Sequence, residues 1–196
     1  MNALIIVDIQ HDFLPGGVLA VAQGGEVIEP INRLQAGYDL VVATQDWHPA
    51  GHKSFASSHR SKRPFDHIDL HGLPQTLWPD HCIQGTAGAA LSTALDAHRI
   101  EAIFRKGMDL EIDSYSGFFD NGRRKNTGLA GYLRDRGVTS VAVGGLAADF
   151  CVFFTAMDAL DAGFQATILE EASRAIDPAE YESKKAVFVE KGGLLG

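Results

Sequence analysis

The chain has 196 residues, enough for one domain with a substantial core and too few for two comfortable ones. Apolar residues make up 45% and the formal net charge is −8, with no run of basic residues, which argues against nucleic acid or an anionic membrane as a partner. No apolar stretch approaches the ~20 residues of a membrane-spanning helix, so no membrane partner is expected. Met1-Asn2-Ala3 enters an apolar run directly, without the basic region of a signal peptide, so the expected location is the cytoplasm. Two cysteines, Cys82 and Cys151, make no disulfide scaffold. In a reducing compartment each is either packing or chemistry.

Short apolar runs alternate with amphipathic segments along the chain. Residues 3–7 predict a first strand ending at Asp8. Residues 27–34 have helical spacing and stop at Gly37, a suitable C′ glycine. Residues 40–43 are a second strand, 91–97 a helix and 102–104 a third strand. A helix over 129–136 closes at Gly137, and a fourth strand follows at 140–143. Residues 151–162 are helical up to Gly163, with a fifth strand at 166–169. Pro178 opens a last helix to about residue 191. The final Gly-Gly-Leu-Leu-Gly is too short for more than a stub of edge strand. The pattern predicts a single α/β domain over residues 1–196. Its sheet is mainly parallel, of five or six strands, with helices on both faces in a Rossmann-like three-layer arrangement.

Residues 44–86 break the pattern: they lack periodicity and are dense in His, Pro, Asp and Trp. Loops of that length in compact domains are usually functional. In open α/β sheets ligands bind beyond the carboxyl ends of the strands. Asp8, Asp46, Lys106 and Gly144-Gly145 all fall at or just past such ends.

Asp46 and His48 lie two apart in an extended segment and point the same way, so both can reach one ion. His52 and His81 follow in the same loop. A carboxylate with two imidazoles suits Zn²⁺ and equally Fe(II); the competing reading is solvated loop histidines. Cys151 follows Gly144-Gly145 and a predicted strand, which delivers it to the first turn of a helix. There free N–H groups favour a thiolate and can hold an oxyanion. A buried packing cysteine fits the same sequence. Asp8 is a part-buried acid or base at the sheet edge, or a turn cap. Lys106, taken alone, reads as a surface lysine. Phe13 and Trp78 are loop aromatics that serve either as packing or as walls for a flat heteroaromatic ligand.

These residues sit within motifs. Val7-Asp8-Ile9-Gln10 with Asp12-Phe13, Gln45-Asp46-Trp47-His48-Pro49, Trp78-Pro79-Asp80-His81-Cys82, Phe104-Arg105-Lys106-Gly107 and Gly145-Leu146-Ala147-Ala148-Asp149-Phe150-Cys151-Val152 occur in that order. Together they resemble the bacterial nicotinamidase/pyrazinamidase family of isochorismatase-like cysteine hydrolases. The stretch Asp113-Ser114-Tyr115-Ser116 to Arg124 is similar to the family's segment after its lysine. The resemblance implies the isochorismatase-like hydrolase fold and a catalytic triad of Asp8, Lys106 and Cys151. It implies one divalent metal on Asp46, His48 and His81, Zn foremost with Fe or Mn as alternatives, and His52 as a further ligand left open. It implies a cis peptide at Leu146–Ala147, with an oxyanion hole at the N–H groups of Ala147 and Cys151, and an aromatic sandwich of Phe13 and Trp78. The implied reaction is hydrolysis of nicotinamide to nicotinate and ammonia, with pyrazinamide also accepted and a homodimer left open. The family usually has Asn where this chain has His11, Thr where it has Ala148, and a longer C-terminus. The rival readings are another small amide, such as N-carbamoylsarcosine or ureidoacrylate, and a non-catalytic metal- or ligand-binding module.

Overall fold

A computed structural model describes residues 1–196. Strand β1 (Asn2–Val7) is apolar on both faces because it lies inside the sheet, flanked by β2 (Leu40–Asp46) and β6 (Ser140–Leu146). Strand β5 (Ile100–Lys106) forms one edge, and β7 (Gln165–Arg174) with β8 (Leu194–Leu195) completes the other. The order is β5-β2-β1-β6-β7-β8, and every pairing is parallel. The order reverses between β1 and β6, the switch point where a doubly wound sheet opens a crevice at its carboxyl edge. β8 is the expected stub and pairs only with Thr167 and Ile168.

Alternation along β1 divides the core. Ala3, Ile5 and Val7 pack with Leu129 and Leu133 of α2 (Leu129–Asp135), Phe153 and Ala156 of α3 (Phe153–Asp161) and Phe188 of α4 (Pro178–Glu190). Leu4 and Ile6 pack on the other face with Ile31 of α1 (Ile28–Leu34), Val27 and Phe13. Helices therefore cover both faces. Helix α4 begins as its Asp177-Pro178 sequence dictates: the Asp177 side chain accepts the N–H groups of Ala179 and Glu180. No helix is long and apolar enough to cross a membrane.

The edge strand β5 is longer than the expected 102–104 and alternates half-buried with exposed residues until the buried Lys106. Its pairing steps from Val41↔Ile100 to Val42↔Ala102, so Glu101 is an extra residue, a bulge that sets the phase of everything after it. Within the long loop a two-stranded hairpin, β3 (His67–Leu70) and β4 (Leu73–Thr76), stands apart from the main sheet.

One expected element is absent: residues 91–97 are turns, not a helix. The Ser92 hydroxyl accepts the Ala94 N–H, Asn32 accepts that of Asp96, and Asp96 accepts that of His98. These side-chain acceptors satisfy the backbone in place of helical bonds. The helix expected from Cys151 begins earlier, as a π-helical turn over Ala148–Val152 that passes into α3.

Candidate active site

Asp8 leaves β1 in the left-handed region, with φ 51°, and is fully buried. Few non-glycine residues adopt this conformation, and those that do cluster at functional sites. Its Oδ1 accepts the Thr44 hydroxyl at 2.7 Å. Its Oδ2 stands 2.9 Å from the Lys106 Nζ, a buried ion pair. Lys106 is buried, so the surface reading of this lysine is overturned. Its Nζ donates to Asp46 Oδ1 at 2.8 Å, the Ser114 carbonyl at 3.1 Å and the Cys151 Sγ at 3.4 Å. Four segments far apart in sequence thus meet on one ammonium.

Gly145 is what lets β6 approach β1 at this point: a Cβ there would lie 2.1 Å from the Val7 carbonyl oxygen. The Leu146–Ala147 peptide is cis, and Cys151 follows on the π-helical turn. Burial raises the Cys151 thiol well above its usual range; Lys106 opposes this, and the neighbouring Asp8 and Asp46 add to it. Burial and the neighbouring carboxylates thus oppose the thiolate that a helix start alone would favour. Burial also raises Asp8, against the pull of Lys106. Lys106 stays charged: burial works against its charge, but Asp46 and Asp8 hold its pKa well above the ordinary lysine value.

Beside this cluster, His48 Nε2 and His81 Nε2 lie 3.1 and 3.4 Å from Asp46 Oδ2. His48 Nδ1 meets the Gly107 carbonyl at 2.9 Å and His81 Nδ1 the Pro79 carbonyl at 2.8 Å. A carbonyl only accepts, so both Nδ1 atoms carry protons, and in its neutral form each ring turns its Nε2 lone pair toward the same carboxylate. That donor set fits a divalent transition metal. Burial opposes ionisation of Asp46, yet His48 and Lys106 hold it well below the usual carboxylate range. Gly107, with φ +67°, is required here because a Cβ would lie 2.4 Å from His48 Cε1.

His52 packs 4.4 Å from His48 between ring centroids, and a second buried group of His48, His52 and Asp113 has donor atoms within 4.8 Å of one another. The His52 Nδ1, however, takes the Ser54 N–H at 3.1 Å. A neutral ring accepting at Nδ1 carries its proton on Nε2.

Phe13, Trp78 and Ala147 line one narrow pocket together with Cys151, Asp46 and His81. Sequence reasoning missed Leu19, Tyr115, Phe150, Asp113 and Ile176, which line it too. The motif around Asp113 and Tyr115 was a signal for two of them. It also missed Gln10, whose side chain accepts the Asp46 N–H and donates to the Asp46 carbonyl, both at 2.8 Å. His11 is exposed, and Asp8 is held without it. Ala148 is fully buried in the core.

A buried cysteine, carboxylate and ammonium thus meet at the switch point of a parallel sheet in a three-layer α/β fold. The chain belongs to the isochorismatase family, whose domain matches residues 2–193. A nicotinamidase of Acinetobacter baylyi is 51% identical over 89% of this chain and 82% of its own length. The solved nicotinamidase/pyrazinamidase of Acinetobacter baumanii superposes with a TM-score of 0.97 at 44% identity, covering 99% of this chain and 94% of that one. A pyrazinamidase of Pyrococcus horikoshii solved in complex with zinc has a TM-score of 0.81 at 35% identity, covering 100% and 98%.

Proposed function

We propose that the chain hydrolyses nicotinamide to nicotinate and ammonia, accepts pyrazinamide, and acts through a thioester on Cys151 in the cytoplasm. The observation that carries this is the buried Asp8 carboxylate, 2.9 Å from the Lys106 ammonium, whose Nζ also reaches the Cys151 sulfur at 3.4 Å. The relatives' names give the amide.

Asp8 accepts the thiol proton as the sulfur attacks the amide carbon. Lys106 holds Asp8 and offsets the negative charge that appears on sulfur. The Ala147 and Cys151 N–H groups receive the amide oxygen as it becomes an oxyanion. When the C–N bond breaks, Asp8 returns its proton to the nitrogen and ammonia leaves. Asp8 then takes a proton from water, the hydroxide adds to the thioester, and the C–S bond breaks. The sulfur recovers its proton and nicotinate is free.

Asp46, His48 and His81 would hold a divalent metal, for which zinc is our first assignment. Such a metal would supply a Lewis acid for an aromatic ring nitrogen. His52 stands outside this trio in our reading, because its hydrogen bonding leaves Nε2 protonated. Phe13 and Trp78 flank the ring.

Ammonia release from nicotinamide, pyrazinamide, N-carbamoylsarcosine and ureidoacrylate tests the assignment. Nicotinamide should give the highest kcat/KM; a higher value for either open-chain amide overturns it.

A further inference from the structure

The hairpin β3–β4 lies outside the main sheet, and most of its residues are exposed or half-buried. Gln75 departs from this: it is 3% exposed. Its amide nitrogen donates to Asp113 Oδ2 at 3.0 Å and to the Tyr115 hydroxyl at 3.0 Å, and it reaches the Thr76 carbonyl at 2.7 Å. A carboxylate and a carbonyl only accept, which fixes the orientation of the amide.

Both side chains that Gln75 holds belong to the site. Tyr115 is a wall of the pocket, and its ring meets Trp78 edge-on at 6.3 Å. Asp113 accepts the Ser114 N–H at 2.8 Å on Oδ1 and presents that oxygen 4.0 Å from His48 Nε2. Without Gln75, the buried Asp113 Oδ2 and the Tyr115 hydroxyl each lose the donor that holds them. Buried acceptors left unsatisfied turn or shift until they find a partner.

We infer that Gln75 is a positioning residue of the site. It fixes the Tyr115 ring as a wall against the substrate and aims the Asp113 carboxylate at the His48 side of the metal cage. A segment outside the sheet thereby sets both substrate affinity and metal retention. The substrate half of this inference rests on the function proposed above; the metal half does not.

The test is Gln75→Leu, which keeps most of the volume and removes both donors. Nicotinamide kinetics, zinc affinity by competition with a chromogenic chelator, and Tm are measured together. KM should rise about 10-fold with kcat within about 3-fold, and zinc affinity should fall about 10-fold, each the size of one lost hydrogen bond. In a Tyr115→Phe background, Gln75→Leu should raise KM no further, because its partner is gone. Unchanged KM and unchanged zinc affinity overturn the inference, whatever happens to Tm.

If Gln75→Leu is insoluble, Tyr115→Phe and Asp113→Asn carry the test separately. The first should raise KM without changing zinc affinity, and the second should weaken zinc. Failure of either overturns the inference. A wild-type protein inactive on nicotinamide would refute the proposed function, while the zinc measurement would still decide the role of Gln75.

Discussion

Asp8 combines a left-handed backbone, complete burial and an ion pair with Lys106 at 2.9 Å. Asp8→Asn keeps the shape and removes the proton acceptor, so kcat should fall at least ~10²-fold. Steady-state rates at full metal loading check this. Cys151→Ala should abolish turnover with the fold intact. Cys82→Ala should keep most activity, because Cys82 is buried under the loop and its backbone N–H is what Asp12 binds. An essential Cys82 and a dispensable Cys151 would reverse the assignment.

A subtler case is Asp149, two residues before the nucleophile. Burial raises its carboxyl above the ordinary value, while hydrogen bonds from the Asp177 and Ile176 N–H groups pull it down. A carboxyl raised in the folded state favours folding at low pH, and that contribution is lost as pH rises through the raised value. Asp149→Asn cannot ionise. Its stability deficit against wild type, measured by urea unfolding, should therefore shrink as pH rises above about 4, the ordinary carboxyl value. A deficit that grows with pH would contradict this.

At the level of elements, the interior strands were legible because parallel strands buried on both faces read as continuous apolar runs, as Leu4-Ile5-Ile6-Val7 does. Lys106 was not legible as a buried group. A lysine before a glycine at a strand end looks solvated until Asp8 and Asp46 are seen to surround it. The helix expected at 91–97 failed because Ser92, Asn32 and Asp96 compete for its backbone, and Asn32 lies 64 residues from the N–H it binds. Gln75 and Tyr115 meet across 40 residues, a distance no periodicity reports. The stub β8 yields a further expectation. It joins the sheet through two residues, with Leu194 61% exposed. Removing residues 194–196 should lower Tm by only a few degrees, roughly the effect of 1 kcal/mol, and leave KM for nicotinamide unchanged. A large rise in KM would show that the edge reaches the site.

Across the whole molecule, the two apolar layers on either side of the sheet meet the Asp46, His48 and His81 group only at its margin, where Phe13 packs edge-on against His81 at 5.5 Å. Chelated protein should keep its far-UV circular dichroism. Its Tm should rise with added Zn²⁺, as expected for a ligand that binds only the folded state. Collapse on chelation would mean that the metal organises the fold itself.

The bulge at Glu101 has a consequence for how activity is to be interpreted. It sets β5 in the phase that faces Asp46 with Lys106, residue against residue. A slip by one position would turn Lys106 to the opposite side of the sheet and offer Arg105 in its place. The same slip would turn Ala102 and Phe104, which pack on the core, outward, while the five other strands keep their pairing. With Lys106 in its proposed role, activity is therefore a gauge of alignment. In a refolded sample, specific activity counts the molecules whose edge strand has threaded correctly, while circular dichroism counts the misthreaded ones as well.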